Sequence, residues 1–270
     1  MALPITYLFV PGNRPDRFGK ALGSGADAII LDLEDAVDAA GKDAARTAIG
    51  AWLNAGHRPS GHVLVRINDD TTPWFADDLD LLRRVGPVGA MLPKAERTEQ
   101  VARVAEALGP SGIVVPLIET ARGLRAVDEI AAAHGVQRLA FGTLDFAVDL
   151  DLSGDERGLI SPAMMIALAS RCAERAPPIA GVTAAIDDDG ALSRDLDFAR
   201  AVGFTAKLCI HPRQVAAVRR ALAPSEGEID WARRVLAAAE GSAGVVQVDG
   251  RMVDRPVLLK AKSILERTHS

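Results

Sequence analysis

The stretch VVPLIETARGL, residues 114–124, starts as an apolar strand and ends in Glu119, Thr120 and Arg122. A continuous apolar run of this length, bounded by polar residues, suits a strand covered on both faces, as in a parallel sheet. A carboxylate and a guanidinium at the tip of such a strand need a reason, and the neighbouring segments supply one. Short β-branched runs recur on both sides: ITYLFV (5–10), AIILDLE (28–34), HVLVRIN (62–68), VGAMLP (88–93), IVVPLIE (113–119), RLAFG (138–142), PIAGVT (178–183) and AKLCIH (206–211). Segments of helical period separate them. In ERTEQVARVAEALGP, Val101, Val104, Ala105 and Leu108 share one face, and Gly109-Pro110 stops the helix. SPAMMIALASRCAERAP predicts a helix capped by Ser161 with Pro162 at its first position. Eight strand–helix units predict a closed (β/α)8 TIM barrel over residues 1–223. An open doubly wound sheet is the competing architecture.

Residues 224–270 lie beyond the eighth unit. They predict a helix near 228–240, a Gly-rich hairpin-like stretch GSAGVVQVDGRMVDRP, and a last helix in VLLKAKSILERT. This reads as a C-terminal arm or lid, with Gly241, Gly244 and Gly250 as hinge positions.

Composition narrows the function. Of the 270 residues 49% are apolar, enough for a large core, and the net charge is −5, without the basic field that nucleic acid requires. No apolar run approaches a membrane span. The N-terminal MALPITYLFVPGNRPDRF has no basic n-region and reads as a first strand instead of a signal peptide. Two cysteines, Cys172 and Cys209, form no framework and fit reduced thiols in a cytoplasmic protein.

Barrel enzymes place their chemistry at the C-terminal ends of the strands. Applied here, that rule gathers Arg14 and Arg17, then Asp32, Glu34 and Asp35, then Arg66 and Asn68, then Lys94, Glu119, Arg122, Asp145, Thr183 and His211. Each has an ordinary reading: a helix-capping carboxylate, a solvated arginine, a snorkelling lysine, a turn histidine before Pro212. The joint pattern outweighs these, with Glu119 and Asp145 on adjacent strands and Arg66 two strands away. Two carboxylates without His or Cys neighbours suit a hard cation such as Mg2+, whereas zinc would want nitrogen or sulfur. The five histidines (57, 62, 134, 211, 269) show no paired spacing. GSGADA (23–28) precedes a strand instead of following one, so it is a helix stop and not a dinucleotide loop. DLDLSGDERGLI has Ile160 where an EF-hand needs Glu, and AIDDDGAL is a turn with a helix cap.

The ordered set LFVPGNRPDRFGKAL, IILDLEDAV, VRIN, MLPKAE, PLIETARGL, FGTLDFAVDL, GFTAKLCIHPRQV and GRMVDRP resembles the citrate lyase beta-subunit family, with its malyl-CoA and citramalyl-CoA lyases, over essentially the whole chain. The resemblance implies a magnesium-dependent lyase that makes or breaks a carbon–carbon bond next to a CoA thioester. It implies Glu119 and Asp145 as metal ligands, Arg66 on the substrate oxygen, and Asp254 as an acid/base that relatives often supply from a neighbouring subunit; the competing reading of Asp254 is a cap of the final helix before Pro256. Arg14 and Lys94 would serve the thioester or phosphate end, and Glu34 and Asp35 join the substrate contacts. The expected partners are a CoA thioester or keto acid and further copies of the chain, as a homotrimer or a multiple of it. Two positions depart from the family pattern: Ala180 where an acid is common in the seventh strand, and Ala206 where glycine is usual. The other functions considered are a CoA-independent 2-keto-acid aldolase, the beta subunit of a carrier-protein-dependent citrate lyase, and a non-catalytic barrel.

Overall fold

The computed structural model describes residues 3–56, 62–85, 88–240 and 246–266. Eight parallel strands pair in sequence order and close into a barrel, as expected. They are β1 (Thr6–Pro11), β2 (Ala28–Asp32), β3 (His62–Arg66), β4 (Gly89–Leu92), β5 (Ile113–Ile118), β6 (Ala140–Phe141), β7 (Ile179–Ala180) and β8 (Ala206–Cys209). The helices between them are α1 (Pro15–Leu22), α2 (Lys42–Asn54), α3 (Phe75–Arg84), α4 (Thr98–Leu108), α5 (Ala121–Arg125), α6 (Val127–Ala132), α7 (Thr143–Asp149), α8 (Arg157–Cys172) and α9 (Asp189–Ala201). α10 (Pro212–Leu222) follows β8.

Closure is made where β1 pairs with β8, Thr6 against Lys207 and Leu8 against Cys209. Inside, Tyr7, Ile30, Leu64, Met91, Val115, Leu117, Ile179 and Leu208 form one buried cluster with Ala140 and Ala206. These are alternate residues of their strands, so the barrel interior is a packed core and not a channel. Below it, Arg138 is 1% exposed. Its guanidinium donates to the carbonyls of Pro4, at 2.9 Å, and Pro177, and to the Thr205 hydroxyl. It therefore ties the entries of β1, β7 and β8 together from the segment that leads into β6.

The helix ends follow the sequence signals with one exception. Gly109, at φ +73°, stops α4, and Val101, Val104 and Leu108 are buried. Asp188 caps α9 by accepting the N–H of Ala191. The expected start of α8 at Ser161 is corrected. The helix begins at Arg157, one turn earlier, and Pro162 lies inside it. Pro162 removes one N–H whose acceptor would have been the Gly158 carbonyl, so the first turn runs on without that bond.

The chain divides into two compact units, one of Pro4–Val218 and one of Arg219–Ser270 with Met1–Leu3. In the second, α11 (Glu226–Glu240) and α12 (Arg255–Glu266) pack through Ala232, Val235, Ala261 and Ile264. Between them β9 (Val246–Val248) and β10 (Arg251–Val253) form an antiparallel hairpin. Asp249 and Gly250, at φ +51° and +73°, make its two-residue turn, the Asp-Gly pairing that such turns favour. Gly250 is thus a turn residue and not a hinge, and Gly241 and Gly244 lie outside the described residues.

Two outcomes test this packing. Arg138→Met strands buried carbonyl groups and is expected to lower the unfolding free energy by about 3 kcal/mol in urea denaturation; a change under about 1 kcal/mol would mean that those carbonyls find water. Cys172 is exposed and Cys209 buried, with the Cys209 thiol pushed up to about 12 by burial against the opposing pull of Lys207. One thiol per chain should react with a disulfide reagent in the native protein, and two after unfolding.

Candidate active site

The strand period carries polar residues onto the top of the apolar core. Ile30, Leu64 and Leu117 face the barrel interior, so residues two further along, Asp32, Arg66 and Glu119, point into the mouth above them. There a cavity of about 390 Å3 is lined by Phe9, Asp32, Asp35, Arg66, Glu119 and Asp145, among others. This is the position that a barrel uses for chemistry.

Arg66 is buried among three carboxylates. Its Nε and Nη2 fork onto Asp32 at 2.7 and 2.6 Å. Nη1 donates to Asp35 at 3.2 Å and lies 2.9 Å from Glu34 Oε2, out of hydrogen-bond alignment. The guanidinium carbon sits 4.7 Å from the centre of the Phe9 ring. Burial opposes the charge, but the Asp32 hydrogen bonds and the field of all three carboxylates outweigh it, so Arg66 stays ionised. Three of its five N–H groups are committed, which leaves donors for a molecule in the cavity.

Lys94 joins the two halves of the site. It holds a left-handed backbone, φ +45°, unusual for a residue with a side chain. In that conformation its backbone N–H donates to Glu119 Oε1 at 2.8 Å, while its ammonium donates to Glu34 Oε1 at 2.7 Å. Desolvation works against the ammonium, and the bond to Glu34 more than compensates. Burial pushes the Glu34 carboxyl up despite Arg66 and Lys94.

Glu119 is 1% exposed, and its Oε2 has no hydrogen-bond partner. Among the described residues it has no ion pair either, whereas the other unpartnered buried oxygen, Glu34 Oε2, faces Arg66. Desolvation, followed by the charges of Glu34 and Asp145, pushes the Glu119 carboxyl up to about 8. Gly142 makes room for it: a Cβ there would stand 2.5 Å from Glu119 Oε2 and 2.6 Å from its Cβ. Asp145 sits in the first turn of α7, exposed, on the same cavity wall. Among the described residues no group of three or more His, Cys, Asp or Glu side chains is arranged to hold a metal. An orphaned buried carboxylate oxygen with a second carboxylate lining the same cavity does fit a hard cation that takes one or two protein carboxylates and completes its shell with water and substrate oxygens.

Other expected mouth residues lie elsewhere. Arg14 is exposed and forks onto Asp16, and it does not line the cavity. Asn68 donates to Asp78 of α3 at 2.7 Å, in the helical layer. Arg122 is 86% exposed, 4.0 Å from Glu96, while Thr120 caps α5 by accepting from the Gly123 N–H. Thr183 donates to Asp195 of α9, and His211 is a turn residue whose Nδ1 accepts from Arg213 N. Asp254, in the second unit, caps α12: its Oδ1 accepts from Val257 N at 3.1 Å. Asp32 appears in the sequence only as one more strand-end acid, and its role as the partner that forks Arg66 had no sequence signal beyond that position.

The family model for HpcH/HpaI aldolase/citrate lyase matches residues 6–212. This chain belongs to that family. Within the HpcH/HpaI aldolase/citrate lyase family it is 38% identical to a citrate lyase subunit beta-like protein of Mycobacterium tuberculosis, over 97% of this chain and 94% of the relative. It is 31% identical to a (3S)-malyl-CoA thioesterase of Cereibacter sphaeroides, over 98% and 94% of the two chains. Its fold matches the crystal structure of CitE from M. tuberculosis in complex with magnesium, acetoacetate and coenzyme A, with a TM-score of 0.87, 38% identity and coverage of 100% and 99%. Another M. tuberculosis structure, with oxaloacetate and magnesium, matches with a TM-score of 0.73 and 36% identity over 83% of this chain and 98% of that one.

Gly142→Ala forces a methyl group into the Glu119 carboxylate. It is expected to cost about 2 kcal/mol in chemical denaturation, with no loss of helical circular dichroism. An unchanged midpoint would show that Glu119 swings aside freely.

Proposed function

We propose that the protein is a magnesium-dependent carbon–carbon lyase that cleaves, or in reverse condenses, a 3-hydroxyacyl-CoA thioester such as malyl-, citramalyl- or citryl-CoA. The products of cleavage would be an acyl-CoA and a keto acid. The observation that carries this is the buried, unpartnered Glu119 Oε2 facing a cavity that also presents Asp145 and Arg66. The relative solved with magnesium, acetoacetate and coenzyme A supports the same class of ligands.

Glu119 and Asp145 would hold the ion, and bound there magnesium supplies Lewis-acid polarisation of keto-acid oxygens. Arg66 would donate its remaining N–H groups to the substrate oxygen on which charge develops, a charge-assisted contact. Asp32, Glu34 and Asp35 hold that guanidinium in place before substrate arrives, so it need not reorganise during the reaction. Lys94 fixes Glu119 through its backbone and keeps a positive charge beside the thioester end. Arg14, exposed near β1, would meet the phosphates of CoA. Asp254 would protonate the enolate of the leaving acyl thioester, or remove the α-proton in condensation. Nothing else among the described residues engages its carboxylate beyond the α12 cap. We place it within a homotrimer or a multiple of it, with the 224–270 segment as a lid and Asp254 acting on a neighbour's mouth.

A thioesterase is the second reading, favoured by the relatives of that name at 31% identity. One experiment separates the readings. Purified protein with magnesium is given malyl-, citramalyl- and citryl-CoA, and keto acid and free CoA are both followed. Keto-acid release with CoA still acylated is expected, abolished by EDTA and restored by magnesium. Free CoA without keto acid would assign the thioesterase, and release from the free hydroxy-keto acid without CoA would assign an aldolase.

Arg66→Lys is expected to lose about 100-fold or more in kcat, because an ammonium cannot reproduce the planar fork; near-normal turnover would make Arg66 structural only. Asp254→Asn mixed with Glu119→Ala under subunit exchange should regain activity if Asp254 acts in trans. Exchange without recovery would exclude the trans arrangement.

A further inference from the structure

A second cavity, of about 330 Å3, lies on the outer face of the barrel, bounded by Ala180 of β7, Lys207 of β8 and Asp195 of α9. Ala206 and Leu208 belong to the barrel interior, so the residue between them, Lys207, faces outward toward the helices. It is 2% exposed. Its ammonium donates to the Gly181 carbonyl and lies 3.6 Å from Asp195 Oδ2, an oxygen that already accepts from the Thr183 hydroxyl. An ammonium has three N–H groups; among the described residues the Gly181 carbonyl and the Asp195 carboxylate answer two of them, which leaves one for a further partner. Burial disfavours its charge, against the pull of Asp195.

A buried cation with an unused donor is costly unless a partner completes it. The room for that partner is at hand. Ala180 pairs in register with Lys207, so both side chains stand on the same face of the sheet, and the methyl group of Ala180 leaves the space beside the lysine stem open. The remaining walls include Phe141, Leu152, Phe198 and Phe204. The volume is roughly that of ten waters in the liquid, the size of a short aliphatic acid. The cavity is also a neighbour of the mouth, because Thr143, Leu144 and Val182 line both.

We propose that this cavity is a second, carboxylate-binding site, taking a short aliphatic carboxylate with its head on Lys207 and its tail against Phe198 and Phe204. The carboxylate comes either from a free acid or from the far end of an acyl substrate that reaches past Thr143 and Val182. The site does not depend on the assignment of the mouth as a lyase.

The test is calorimetric titration of butyrate, hexanoate and glutarate into the purified protein and three variants. At least one acid should bind with one-to-one stoichiometry. Ala180→Asp sets a resident carboxylate beside Lys207 and should weaken binding by roughly tenfold or more, while the new ion pair keeps the fold. Lys207→Met should do the same, and if it does not fold, Ala180→Asp decides. Glu119→Ala should bind the acid as the parent does, whatever happens to its reaction. Absence of saturation for all three acids into the millimolar range overturns the proposal, as does full affinity in Ala180→Asp. Loss of binding in Glu119→Ala would move the acid to the mouth and overturn it too. Titration in the presence of magnesium and pyruvate separates the sources. Independent binding supports a free acid, and mutual exclusion that still responds to Ala180→Asp supports the tail of a mouth substrate.

Discussion

The arrangement of the mouth follows from one oxygen. Glu119 Oε2 is buried at the end of an apolar strand without a partner, and an ionised carboxylate in that position is costly unless a positive charge meets it. The surrounding residues limit the cost without removing it. Lys94 spends an unusual backbone conformation to bring one N–H to the other oxygen. Gly142 gives up its side chain so that the carboxylate fits beside the residue that follows β6. Arg66, the strongest cation nearby, is turned to Asp32, Asp35 and Glu34 and not to Glu119. The mouth thus keeps one carboxylate oxygen without a partner and one guanidinium with spare donors on the same cavity. A single charged bridge between the two would have satisfied both and closed the site.

This division explains why two groups of carboxylates stand so close together. Asp32, Glu34 and Asp35 carry the positive charge of Arg66, and Lys94 shares Glu34. Glu119 and Asp145 are left outside that balance, and the Asp145 charge adds to the burial that raises the proton affinity of Glu119. A divalent cation would relieve that repulsion. A keto acid, with its adjacent carboxylate and carbonyl, would supply oxygens both to the ion and to Arg66.

Much of this was legible in the sequence because a strand's period is short and strict. Eight apolar runs at regular spacing define the barrel, and a two-residue step from Leu117 reaches Glu119. Residues whose direction depends on tertiary packing were not legible. Asn68 and Thr183 also end strands, yet their neighbours on α3 and α9 draw them into the helical layer. Pro162 misplaced the start of α8, since the first-turn preference of proline is statistical and a proline in the second turn loses only one hydrogen bond. Lys207 is one residue of the eighth strand in the sequence, and only the structure shows it buried against Asp195 of α9. The resemblance to relatives supplied the role of Asp254, and its local geometry shows a helix cap.

The central claim is that Glu119 exists to hold a cation. Isothermal titration of magnesium into the parent protein and Glu119→Ala, each with saturating pyruvate, addresses it directly. One ion per chain is expected for the parent, and none for the variant, with unchanged circular dichroism. Equal magnesium affinity in the two proteins would contradict the account.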